Sequence, residues 1–250
     1  MTVKSPDPKD VPALRLLFQE AFGDGDEFLD RFFSVAFSAK RCRCIEENGD
    51  VAAALYWFDC EYEGKPLAYL YAIATKQSFR GKGLCAALME DTHRHLKEHG
   101  YIGAILSPAE PSLYGFYARF GYKTATYIRT FSADKSGSMP LRRISAEEYG
   151  AIRRRLLPEG SVIEEGVALR FLESDTELYA GDGVLLAAKM NEDTLFSPEF
   201  LGNTKKATAV LGTLGKESGI FRTVGDETPL TMFLSFSDIE TPKYFGLVFD

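Results

Sequence analysis

Apolar positions in the first forty residues recur at helical spacing. Val11, Leu14, Leu17, Phe18 and Phe22 fall on one face, Asp7 or Asp10 stands ahead of them as a cap, and Gly23 follows as an exit, which predicts an N-terminal helix. A second helix carries the stripe Phe28, Leu29, Phe32, Phe33 and Phe37. Rings at that spacing pack a core first, and near a site entrance they also shape a pocket. The period then changes to two: residues 41–46, 51–60 and 67–75 read as antiparallel strands, separated by Asn48-Gly49 and by Gly64-Lys65-Pro66. Residues 84–99 return to the helical period, with Leu84, Ala87, Leu88 and Leu96 on one face and Gly100 as the stop. A short buried strand over 101–109, a helix over 111–120 opened by Pro111 and Ser112 and stopped by Gly121, and a strand over 122–131 complete this half.

The polar, Gly- and Ser-containing stretch 132–141 reads as a linker. Beyond it the pattern predicts a basic-faced helix over 145–157, strands over 184–190 and 219–224, a helix over 203–215 capped by Asn203, and closing strands over 230–236 and 244–249. The expected fold class is therefore α/β (α+β), a mixed and mostly antiparallel sheet flanked by helices, in two domains, residues 1–132 and 140–250.

Composition narrows the function. With 250 residues, 45% hydrophobic and 26% charged, the chain can bury a core in one large domain or two ordinary ones. A net charge of −7 argues against a nucleic-acid or anionic-membrane surface, while leaving room for a local basic patch such as Arg80 and Lys82. No apolar run approaches the ~20 residues that span a bilayer, and the N-terminus lacks a signal-peptide core, so a cytoplasmic, non-membrane protein is expected. The four cysteines form no CxxC pair and read as reduced thiols, Cys42 and Cys44 sharing a strand face. His95 and His99 are i, i+4 neighbours with no carboxylate beside them, so no metal site is expected.

The segment Arg80-Gly81-Lys82-Gly83 opens the helix over 84–99. A helix start leaves about four N–H groups unpaired and carries positive partial charge, so it takes phosphate where small residues let the ligand approach. Two glycines allow that approach and two cations add charge. The spacing is neither that of a P-loop nor a GxGxxG fingerprint, which disfavours nucleotide hydrolysis and NAD chemistry.

The stretch "ATKQSFRGKGLCAALM" resembles motif A of the GNAT N-acetyltransferases, R/Q-x-x-G-x-G/A, with Arg80 and Gly83 in register and Cys85 where Gly or Ala is usual. About thirty residues on, "LYGFYARFGY" is similar to that family's acceptor-side helix, with Tyr117, Gly121 and Tyr122 in the motif positions. The resemblance covers roughly residues 1–131. It implies acetyl-CoA as co-substrate, main-chain contacts from Ile73, Ala74 and Thr75 to the pantetheine, and a pyrophosphate held by Arg80 and the N–H groups of Gly81, Lys82, Gly83, Leu84 and Cys85. It further implies direct attack of an amine on the thioester with Tyr117 as general acid; Tyr114, three residues earlier, is the rival. The base stays open among Glu46, Glu47 and Glu110.

The second half looks like a reduced copy of the first without the glycine mouth, as in tandem GNAT proteins, and is similar to the enhanced-intracellular-survival class, in which a chain-terminal carboxylate reaches the active site. That resemblance implies a role for Asp250 as base or amine holder. The acceptor is expected to be a small-molecule or peptide amine, and self-association is left open. A catalytically idle acyl-CoA sensor or assembly module is the competing reading.

Overall fold

The computed structural model describes residues 2–249. Two compact units divide the chain: Met1–Cys60, Gly64–Lys123 and Met232–Glu240 form the first, and Glu61–Glu63, Thr124–Thr231 and Thr241–Asp250 the second. The elements run β1 (Val3–Lys4), α1 (Val11–Phe22), α2 (Asp26–Arg31), β2 (Cys42–Glu47), β3 (Asp50–Tyr62), β4 (Lys65–Thr75), α3 (Leu84–Glu98), β5 (Gly103–Leu106), α4 (Pro111–Ala118), β6 (Lys123–Asp134), β7 (Leu141–Arg143), α5 (Ala146–Leu156), β8 (Ile163–Glu164), α6 (Val167–Glu173), β9 (Glu177–Gly181), β10 (Val184–Met190), β11 (Thr194–Gly202), α7 (Ala207–Leu214), β12 (Ser218–Val224) and β13 (Thr228–Ser235).

In the first unit α1 ends where Gly23 turns left-handed (φ 75°) and returns its N–H to the Gln19 carbonyl, a conformation that glycine adopts without steric cost. Leu14, Leu17 and Phe18 are buried, but Phe22 in the last turn is 46% exposed. Asp10 does not cap α1; its Oδ2 accepts from the Asp7 N–H at 2.7 Å and pairs with Lys4 at 2.9 Å. The second aromatic stripe starts on α2 and continues as a wide turn over Phe32–Ala36.

The strands follow the order β1–β2–β3–β4–β5–β13. The β2–β3 hairpin turns at Asn48-Gly49, both at positive φ. The next turn sits at Glu63-Gly64 rather than at Gly64-Lys65-Pro66, because Lys65 and Pro66 already belong to β4. β4 and β5 are parallel, in the register Ala68↔Ala104, Tyr69↔Ile105, Leu70↔Leu106, and α3 is their crossover. Met232–Ser235 flanks β5 antiparallel on its other side. The buried face of α3 (Leu84, Leu88, Met89, Leu96) joins Leu55, Trp57, Leu70, Leu106, Tyr117 and Tyr122 in one apolar cluster. Each such side chain contributes about 1.5–3 kcal/mol by leaving water, which holds the helix firmly against the sheet.

The second unit orders its strands β6–β12–β11–β10–β9–β7. All neighbours there are antiparallel except β11 and β12, which run parallel from Thr194↔Ser218 to Ser197↔Phe221 with α7 between them in sequence. This β11–α7–β12 unit repeats the β4–α3–β5 order of the first. Val184, Leu186, Phe200, Val210, Leu211 and Phe221 form its core. Two expectations are corrected here. Arg153 points inward from α5, 1% exposed, so that helix is not basic only on its outer face. Residues 244–249 form no strand: Tyr244 makes a single parallel bridge to Ser161, although Tyr244, Phe245, Leu247 and Val248 are buried. An apolar run reports burial and not the ladder.

Candidate active site

The β4–β5 register ends at Leu70↔Leu106, while β4 runs on to Thr75. Over that overhang Ala72 takes φ 49°, a left-handed conformation that is costly for a residue with a Cβ and that collects at functional positions. The kink lies just ahead of Ile73, Ala74 and Thr75, which extend beyond the last β5 partner, Leu106. Ile73 and Thr75 are part-exposed and Ala74 is buried. The far side of the overhang stays tied down, with the Lys76 N–H bonded to the Ala52 carbonyl at 2.9 Å.

A short turn, Gln77–Phe79, leads to the glycine mouth. Gly81 (φ 76°) and Gly83 (φ 79°) are both left-handed, and a Cβ built on either would meet no atom within 4 Å. The glycines therefore serve backbone conformation and leave open space in front of the helix. The first intrahelical bond of α3 runs from the Ala87 N–H to the Gly83 carbonyl, so the N–H groups of Leu84, Cys85 and Ala86 have no acceptor within the helix. Arg80 donates Nε to the Thr75 carbonyl at 3.1 Å, which anchors its guanidinium beside the mouth. Lys82 lies 4.7 Å over the Phe79 ring. Left-handed glycines, unpaired N–H groups and a tethered cation suit the diphosphate of a coenzyme A.

Tyr117 approaches from α4. It is 8% exposed, its hydroxyl has no hydrogen-bond partner among the described residues, and burial pushes its phenol above the ordinary tyrosine value, with Cys85 within electrostatic reach. Cys85 lies in the first turn of α3, so α4 and the start of α3 converge at this pair. The Cys85 thiol is raised to about 11, mainly by burial and against the pull of Arg119, which makes it a poor nucleophile. Tyr114 is half-buried on the same helix.

The aromatic stripe packs where β4 begins its overhang: Phe18 and Phe32 stand 6.2 and 5.7 Å from Tyr71, the residue before the kink, and 5.9 and 5.1 Å from Tyr56. Of the three carboxylates considered as base, Glu46 is paired with Lys4 at 3.0 Å, Glu110 accepts from Ser112 at 3.3 Å, and Glu47 is half-exposed on β2. Asp250 lies outside the described residues. His99 Nδ1 meets the His95 carbonyl at 2.7 Å, and among the described residues no group of three His, Cys, Asp or Glu is placed to hold a metal ion. No helix among them is long and apolar enough to cross a membrane.

Two features of the site carry no sequence signal: the Ala72 kink, and a buried bond from His93 Nε2 to the Tyr122 hydroxyl at 2.9 Å.

Residues 2–125 match the family model of the acetyltransferase (GNAT) domain. No curated protein sequence matches the chain. Among solved structures, a probable N-acyltransferase from Enterococcus faecalis superposes with TM-score 0.72 at 15% identity, over 94% of this chain and 72% of its own. A GCN5-related N-acetyltransferase from Anabaena variabilis gives 0.72 at 14%, over 93% and 72%, and Eis1 from Mycobacterium abscessus gives 0.67 at 15%, over 94% and 74%. At these identities the likeness is one of fold, and it extends over both halves of the chain. Residues 2–125 of this chain, then, form an acetyltransferase (GNAT) domain.

Proposed function

We propose that this acetyltransferase moves an acetyl group from acetyl-CoA to a primary amine of a small molecule or peptide by direct attack, with Tyr117 as the general acid. Acetyl-CoA, when bound, supplies the acetyl group as an activated thioester. On the protein side, the N–H groups of Gly81 to Cys85, with Arg80, hold the diphosphate, and the freed main chain of Ile73, Ala74 and Thr75 lies alongside the pantetheine as an added strand would. The attacking amine must be neutral, and as nitrogen bonds the carbonyl carbon the carbon–sulfur bond breaks and sulfur needs a proton. Tyr117 keeps its proton at neutral pH because burial disfavours the phenolate, and it delivers that proton to sulfur. The proton lost by the amine leaves through a base that Glu46, Glu47 or Glu110 would provide directly or through water.

The observation that carries this reading is Tyr117 itself, a largely buried ring whose hydroxyl is left without a protein partner beside the first turn of the glycine-mouthed helix. The test is thiol release from acetyl-CoA across a panel of amines. Tyr117→Phe should lower kcat by about 10²–10⁴ while the acetyl-CoA Kd holds; an equal kcat removes Tyr117 from this role. Tight acetyl-CoA binding without thiol release for any amine would favour a sensor instead.

A further inference from the structure

Tyr117 has to aim a hydroxyl that nothing in the described structure holds. Its direction is set by packing alone, against Phe116 at 5.2 Å between ring centroids and edge-on against Tyr122 at 6.2 Å and 65°. The Tyr122 wall is unusually well fixed. After α4 the chain turns tightly, with the Phe120 N–H on the Tyr117 carbonyl and the Gly121 N–H on the Ala118 carbonyl, both at 3.0 Å. Gly121 at φ 90° reverses the chain and brings the Tyr122 ring back between Tyr117 of α4 and His93 of α3. There the Tyr122 hydroxyl meets His93 Nε2 at 2.9 Å, with the two residues 2% and 9% exposed. His93 belongs to α3, the helix whose first turn forms the phosphate mouth, and its ring is backed by Phe236 at 5.7 Å. A continuous line of contacts thus runs from α3 through His93 and Tyr122 to the ring of Tyr117.

We infer that His93 and Tyr122 are positioning residues: their hydrogen bond locks α3 to the segment that follows α4 and so sets where Tyr117 points. The inference rests on the reading of Tyr117 as the acid. The competing account is that the bond merely satisfies two buried polar groups. That account predicts lost stability and an unchanged kcat at temperatures where the variants stay folded. Misplacing a reacting group by about an ångström costs up to about 10²-fold, so the positioning account predicts a turnover defect instead.

The experiment measures thiol release from acetyl-CoA by the full chain, with the most active amine of the panel or with water, beside the acetyl-CoA Kd from calorimetry. Tyr122→Phe keeps the ring and removes the hydroxyl, and is expected to lower kcat by roughly 10- to 100-fold with Kd unchanged. His93→Leu should reproduce the defect and His93→Gln, whose amide can still bond the phenol, should restore most of it; this pair decides the matter if Tyr122→Phe does not fold. In a Tyr117→Phe background, Tyr122→Phe should cost nothing further. If Tyr117→Phe is slow but Tyr122→Phe and His93→Leu keep wild-type kcat, or if the two tyrosine defects multiply, the positioning role is overturned and Tyr117 stands. If Tyr117→Phe itself turns over normally, or no thiol is released at all, both readings fall.

Discussion

Arg153 Nη2 lies 2.9 Å from Glu164 Oε2, with neither side chain more than 1% exposed. The same guanidinium donates from Nε to Glu199 at 2.7 Å, and Glu199 also accepts from Tyr149 at 2.9 Å and Tyr244 at 3.2 Å. Two buried carboxylates thus share one cation. A net negative charge in a dry interior is costly, so burial, reinforced by Glu199 and opposed by Arg153, raises the Glu164 carboxyl from 4.5 to about 8. The folded state then holds a proton that the unfolded chain has released, so stability falls as pH rises from 4.5 through about 8. Glu164→Gln, the neutral isostere, should flatten that decline. Melting temperatures of both proteins across this range check it, and parallel curves would remove Glu164 as the titrating group.

Removing the guanidinium takes the shared partner from both buried carboxyl groups. Arg153→Met should cost about 3–5 kcal/mol in a urea titration, far beyond the ~1 kcal/mol of an exposed pair. A loss of only that smaller size would mean that water reaches the cluster.

The first unit has the opposite acid–base slope. Burial holds His93 down from 6.5 to about 4, so its imidazole stays neutral in the fold but protonates in the unfolded chain. Stability is therefore full above 6.5 and is lost as pH falls toward about 4. His93→Gln does not titrate and should lose less stability on acidification, read from denaturant midpoints at several pH values. An equal acid loss would assign the effect elsewhere.

Gly83 separates conformation from bulk. Any side chain there bears the left-handed strain of φ 79°, about 1–2 kcal/mol, so Gly83→Ala should lower stability and keep most acetyl-CoA affinity. Gly83→Trp should carry the same strain and also fill the space before the α3 amides, abolishing binding in calorimetry. Unchanged affinity in the tryptophan variant would move the diphosphate away from this mouth.

The glycine mouth was readable from residue types because a left-handed turn ahead of an apolar-periodic helix demands glycine, and 81 and 83 supply it. The hairpins were readable for the same reason, with a one-residue slip at Glu63, whose positive φ has no composition signal. What stayed hidden depends on distance along the chain. Nothing local marks Ala72 for a kink, which falls where β4 has outrun its pairing with β5. His93 and Tyr122 stand twenty-nine positions apart and each alone reads as ordinary helix or strand. Glu164 and Glu199 look like surface carboxylates until Arg153 is found between them, and "YFGLVF" advertises burial without saying that only Tyr244 would find a strand partner.

The antiparallel neighbour of β5 comes from Met232–Ser235, more than a hundred residues downstream. On the ribosome, the acetyltransferase half must therefore wait for nearly the whole chain to emerge before its sheet can close. A gene fragment stopped near residue 132 would leave one side of β5 bare, an open ladder of the kind that recruits other chains. The GNAT half of this protein is therefore expected to resist isolation as a module, its yield as a fragment limited by aggregation.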